Sequence, residues 1–129
     1  MRIALYRCTK AECDAEIHEY LSEDDLAVVV AAREDGRLGG LIELGIRPWA
    51  EGCDSKNVGY IEGLWVDPDL RRQGIARGLV AAGEAWARGR GCVDMGSDCL
   101  LENEVSLRFH LALGYKEIER AIHLAKRLG

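Results

Sequence analysis

The sequence predicts a single α/β domain built on a mixed sheet, and three observations carry that reading. The 129 residues are enough for one hydrophobic core and too few for a second catalytic domain, so residues 1–129 are read as one domain. Segments of two-residue alternation are interleaved with segments of helical period, in the order helix, hairpin, strand, helix, strand, helix, strand. With 48% apolar and 30% charged residues, the composition excludes a disordered or fibrous chain.

Thr9 followed by Glu12 forms a capping box, and Cys13, Ile17, Tyr20 and Leu21 recur on one face, which predicts a helix from about Lys10 to Ser22. Leu26 to Arg33 is a β-branched apolar run, Glu34-Asp35-Gly36 is a hairpin turn, and Leu38 to Ile46 is the return strand. Arg47 to Asn57, with Pro48, Gly52 and Asp54, keeps no period and is read as a long loop of the kind that binds ligands. Val58 to Val66 is the next strand, stopped at Asp67-Pro68. Ile75, Leu79, Ala82 and Trp86 form one stripe of a helix that ends at Gly89 and Gly91. Cys92 to Ser97 is short and extended, and Val105, Phe109, Ala112 and Leu113 mark a last helix stopped by Gly114. Tyr115 to Arg120 and Ile122 to Lys126 are read as terminal strands.

Charge narrows the partners. Acidic residues outnumber basic ones and the net charge is −5, which disfavours duplex nucleic acid and leans towards cationic small molecules. The longest apolar run, Leu26 to Ala32, is far short of the roughly 18 residues that cross a bilayer, so no membrane partner is expected. The start, broken by Arg7 and Lys10, lacks the form of a secretory signal. Five cysteines without a CxxC pair read as reduced thiols in a cytoplasmic protein, with no metal site.

The stretch Val66-Asp67-Pro68-Asp69-Leu70-Arg71-Arg72-Gln73-Gly74-Ile75-Ala76 is a strand, a turn and the start of a helix. Unpaired amides at a helix start accept an anion, Gly74 and Ala76 leave room for a phosphate, and Arg71, Arg72 and Arg77 add positive charge. Neither a Walker loop nor a Rossmann fingerprint is present.

Here the chain resembles the GNAT superfamily of N-acetyltransferases, whose acetyl-CoA signature, Arg/Gln-x-x-Gly-x-Gly/Ala after a strand, is filled by Arg71, Gly74 and Ala76. It is most similar to the aminoglycoside 6'-N-acetyltransferases. Ile46-Arg47, Gly52-Cys53-Asp54-Ser55, Glu62-Gly63, Glu84-x-Trp86-Ala87, Gly91-Cys92, Ser97-Asp98, Asn103-x-x-Ser106, His110-x-Ala112-Leu113-Gly114-Tyr115 and Glu119-Arg120 match in order between about Leu26 and Lys126.

The resemblance implies a mixed, mostly antiparallel sheet flanked by helices, with acetyl-CoA as co-substrate and a cationic amine as acceptor. It gives acetyl-CoA the main chain of Leu64, Trp65 and Val66, the loop Arg71, Arg72, Gln73, Gly74, Ile75 and Ala76, and the side chain of Asn103. One amide of Leu64 to Val66 would hold the oxyanion. Glu62 is the first candidate for taking the proton from the substrate ammonium, an ion pair with an arginine being its alternative. Asp98 would converge on the same pocket, or serve as a turn or cap. His110 stands where many relatives have a tyrosine that protonates the leaving thiolate, its alternative being a packed helical histidine. Tyr6, Trp49, Glu62, Asp98 and Glu119 would line an acidic, aromatic-edged cleft, with Glu119 lent across a homodimer or paired with Arg120.

Two departures accompany the match. The chain is expected to begin inside the first helix of the family fold, near Met1 to Arg7, so that the sheet lacks its first strand. Leu124 and Ala125 replace the aromatic and basic residues of the family's terminal strand. Three functions compete at this point: 6'-acetylation of an aminoglycoside, acetylation of another amine such as a polyamine, amino sugar or lysine-like group, and non-catalytic CoA binding or dimerisation.

Overall fold

The computed structural model describes residues 2–6, as backbone, and 25–129. The helix expected from Lys10 to Ser22 lies outside the described residues. The chain divides into two compact units, Met1–Asp98 and Cys99–Gly129.

The first unit is a five-stranded sheet in the order β1 (Arg2–Tyr6), β2 (Leu26–Ala32), β3 (Leu38–Arg47), β4 (Val58–Val66) and β5 (Met95–Ser97). Its first four strands are antiparallel neighbours and β5 runs parallel to β4, which makes the sheet mixed and mostly antiparallel. The β2–β3 hairpin closes at Gly36, where the Gly36 amide donates to the Arg33 carbonyl at 2.9 Å. Ala27, Val29 and Ala31 of β2 alternate onto one face with Ile42 and Leu44 of β3. Helix α1 (Ile75–Gly89) supplies Leu79, Val80, Trp86 and Ala87 to the buried core. Gly59 of β4 fits between α1 and β5, since a Cβ there would stand 2.7 Å from both the Ala87 Cβ and the Met95 Sδ. A second buried cluster of Ala50, Val58 and Tyr60, with Cys53 against it, roots the 48–57 loop.

Two expectations are corrected. Residues 2–6 are not the start of a helix but strand β1, paired from Arg2 opposite Ala32 to Tyr6 opposite Val28. The physical reason is the β2 backbone edge, whose amides and carbonyls need partners beside a buried apolar strand. The terminal strands are also absent: residues 115–129 form no regular structure, and Ile122 and Leu124 are 82% and 89% exposed. Alternation gave that segment a strand pattern, but a strand exists only on a partner's edge, and no described strand pairs with it.

In the second unit, helix α2 (Glu104–Ala112) is capped by the Asn103 side chain, which accepts from the Ser106 amide at 3.1 Å. It ends as expected at Gly114, whose φ is 95°.

Candidate active site

The site begins with a break in the ladder of β4. Glu43 of β3 stands opposite Gly63 and Leu44 opposite Ile61, so Glu62 is the extra residue of a β-bulge, a device that re-aims a side chain. On its other edge β4 pairs with β5 only from Gly59 to Ile61. From Glu62 to Val66 no described strand pairs with that edge, which leaves main-chain donors and acceptors open to an extended ligand.

The bulged Glu62 meets Arg47 at the end of β3. Arg47 Nε donates to one Glu62 carboxylate oxygen at 2.9 Å and Nη2 to the other at 2.7 Å, a bidentate fork. The same guanidinium lies 3.5 Å above the Tyr60 ring, and the Tyr60 hydroxyl donates to Asp98 Oδ2 at 2.8 Å. Glu62 and Asp98, brought together in the sequence reading, are therefore linked through Arg47 and Tyr60. Burial, and then the Asp98 carboxylate, push the Tyr60 phenol well above its ordinary pKa, so it stays a proton donor. The hydrogen bonds to Glu62 raise the Arg47 guanidinium above its usual value.

The other end of the open edge leads into the basic turn. A single 3-10 turn, Pro68–Leu70, is followed by Arg72 at φ 66° and Gly74 at φ 80°. Gly74 caps α1 without a side chain, and nothing lies within 4 Å of where its Cβ would stand. The first bond at this helix start runs from the Gly78 amide to the Gly74 carbonyl, so the amides from Gly74 to Arg77 have no intrahelical partner. Arg71 is anchored by Nε to the Val66 carbonyl at 3.0 Å and stands 5.0 Å over the Trp65 ring. Gln73 donates to the Asp69 carbonyl at 3.4 Å, while Arg72, Gln73 and Gly74 are exposed and Ile75 and Ala76 half-buried. The arrangement offers helix-start amides beside a space without a side chain, a geometry that can accept an anion.

The remaining candidates are described each within its own unit. Trp49 is 64% exposed in the 48–57 loop, and Tyr6 is placed as the last residue of β1. In the second unit, His110 Nδ1 donates to the Ser106 carbonyl at 2.7 Å, and its ring meets Phe109 and Tyr115 edge-on. Asn103 is a helix cap. Arg120 pairs with Glu117, not with Glu119. Among the described residues, no group of three or more His, Cys, Asp and Glu is placed to hold a metal ion, and no helix is long and apolar enough to cross a membrane.

Sequence reasoning missed Arg47 and Tyr60 as site residues. Tyr60 precedes Glu62 by two, which places both on one strand face, and that signal was available. The Arg47 partnership was not readable, because the bulge decides which side chains of β3 and β4 meet.

The sequence profile described as the Acetyltransferase (GNAT) family matches residues 3–115. The chain is 47% identical over 113 residues to the aminoglycoside N(6')-acetyltransferase type 1 of Klebsiella aerogenes, covering 85% of this chain and 74% of that one. It is 40% identical over 114 residues to the protein of the same name in Salmonella typhimurium, covering 88% and 78%. Among solved structures, AAC(6')-Iy in complex with the bisubstrate analogue CoA-S-monomethyl-acetylneamine superimposes with a TM-score of 0.83 at 32% identity, covering 99% of this chain and all of that one. An open β4 edge that leads to a side-chain-free helix start, together with a match over most of the chain, makes this protein a member of the GNAT acetyltransferase family.

Proposed function

We propose that the protein is an acetyl-CoA-dependent N-acetyltransferase that moves the acetyl group directly to the 6'-amine of an aminoglycoside. The observation that carries the reading is the unpaired β4 edge from Glu62 to Val66, with a bulged carboxylate at one end and the anion-accepting start of α1 at the other. Relatives named as aminoglycoside N(6')-acetyltransferases, and a structural neighbour holding a CoA-linked acetylneamine, support this acceptor.

The residues of the turn fit a phosphate-bearing cofactor, because Gly74 leaves open space beside unpartnered amides and Arg71, fixed through Nε, keeps its Nη groups to offer. Acetyl-CoA supplies an activated acyl thioester. The amides of Gly74, Ile75, Ala76 and Arg77 hold phosphate oxygens, with Arg71, Arg72 and Gln73 around them. The main chain of Leu64, Trp65 and Val66 pairs with the pantetheine arm, and one of its amides donates to the reacting carbonyl oxygen. Glu62, directly or through a water, takes the proton that keeps the acceptor nitrogen from attacking, with its orientation set by Arg47. Asp98, held by Tyr60, and Trp49 and Tyr6 bind the other ammonium groups. Asn103, His110 and Glu119 enter through their positions in the family motifs, as a CoA contact, the donor to the departing thiolate and an acceptor contact shared across a homodimer. We take the protein as one domain in the cytoplasm, without nucleic-acid or membrane partners, on its acidic charge and its five cysteines without a CxxC pair.

Purified protein, acetyl-CoA and a panel of aminoglycosides, polyamines and lysine peptides test the reading by thiol release and product mass. The expected product is a singly acetylated aminoglycoside modified at the 6'-amine. Turnover confined to another amine overturns the acceptor, and thermal stabilisation by CoA without turnover overturns the reaction. Glu62→Gln is expected to lower kcat by about a hundredfold, at the lower end of general-base effects, and to leave CoA binding unchanged.

A further inference from the structure

The turn that leads into the proposed cofactor loop carries an arginine clamp from outside the loop. Arg33, at the β2–β3 hairpin, donates from Nη1 and Nη2 to the two Asp69 carboxylate oxygens at 3.0 and 2.8 Å, and from Nη2 to Asp67 Oδ2 at 2.9 Å. The second Asp67 oxygen accepts from the Trp65 indole at 2.9 Å, and Arg71 stands over that indole. One guanidinium thus holds both carboxylates that flank Pro68, and through Asp67 it reaches the platform on which Arg71 rests.

Charge gives this clamp a use. Between Asp67 and Arg77 the chain places two aspartates among three arginines, Arg71, Arg72 and Arg77. The Asp69 carbonyl accepts from the Gln73 side chain, so the turn that carries these carboxylates is joined directly to the loop that must attract phosphates. Left unpaired, they would oppose the ligand that the arginines attract. The Arg33 hydrogen bonds hold both carboxyl groups below their ordinary pKa, as expected of carboxylates engaged by a guanidinium.

We propose that Arg33 is a positioning residue for acetyl-CoA, which screens Asp67 and Asp69 from the cofactor phosphates and fixes the Asp67–Trp65–Arg71 stack. This inference rests on the acetyl-CoA reading of the Arg71–Ala76 loop. Most isolated surface ion pairs contribute little, but a three-bond fork onto two carboxylates leaves Arg33 one defined geometry.

The test measures KM for acetyl-CoA and for a 6'-amino aminoglycoside in four proteins: the wild type, Arg33→Gln, Asp69→Asn and the double variant. Arg33→Gln is expected to raise KM for acetyl-CoA about tenfold, more at low salt than at high salt, with KM for the aminoglycoside within twofold of wild type. Adding Asp69→Asn brings the acetyl-CoA KM back to within threefold, which a merely structural clamp would not do. Asp69→Asn alone, which keeps Arg33, gives a value at or below wild type. The inference is overturned by an unchanged acetyl-CoA KM in Arg33→Gln, by parallel shifts in both KM values, by no recovery in the double variant, or by a raised value in Asp69→Asn. A wild-type protein that neither binds nor consumes acetyl-CoA overturns the cofactor reading itself.

Discussion

Glu62 is the single side chain on which the proposed chemistry turns. Its sequence context left two uses open, proton acceptor or partner of an arginine, and the structure joins it to Arg47 through both oxygens. The two uses are compatible, since a fork from one side fixes the carboxylate plane while the unpaired β4 edge continues from the same residue. Tyr60 does the corresponding work for Asp98 by a single hydroxyl. Tyr60→Phe keeps the ring under Arg47 and removes only that donor, so kcat/KM for the aminoglycoside should fall about tenfold in steady-state assays. Its urea midpoint should report a loss of about 1 kcal/mol, the net worth of one hydrogen bond. Unchanged kinetics would detach Asp98 from the site. The two-residue spacing of Tyr60 and Glu62 was a signal that the sequence reading left unused, whereas the Arg47 contact depends on a register shift that no residue pattern announces.

Among elements, β4 carries the most consequence. Its boundaries, Val58 to Val66, agree with those expected from alternation and the Asp67-Pro68 stop, and α1 begins at Ile75 as its apolar stripe predicts. Both signals are local, and buried neighbours reinforce them. The bulge, the early end of the β4–β5 pairing and the lack of a described strand over 115–129 were not legible, because each depends on which strand lies alongside. Gly59 is the described glycine at which an added Cβ would come nearest to other elements. Gly59→Ala forces a methyl against the Ala87 Cβ on α1 and the Met95 side chain on β5, and is expected to destabilise the fold by about 1–3 kcal/mol in chemical denaturation. A neutral result would mean that α1 and β5 yield at that point.

For the molecule as a whole, the net charge of −5 suits a cationic acceptor, while the arginines of the 67–77 segment are a local positive charge that suits an anionic co-substrate. The Arg33 clamp ties that distribution to acid stability. Asp67 and Asp69 have lowered pKa values in the folded protein, so their contribution is present above the unfolded carboxylate value, about 3.9, and is lost as pH falls through the folded values. Melting temperatures of wild type and Arg33→Gln should therefore differ at pH 5 and converge as the pH drops below about 4. A gap that stays constant across that range would remove the linkage. The sequence by itself determined the strands and helices from Leu26 to Ala112, the basic turn before α1 and the family, because hydrophobic period, proline and glycine positions and a short motif all act locally. Only the tertiary structure decided that β1 pairs with β2, that Glu62 bulges onto Arg47 and that Arg33 reaches Asp67 and Asp69. Those outcomes follow from edges, register and charges that meet across long sequence separations, where pairing in space, not local propensity, selects the partner.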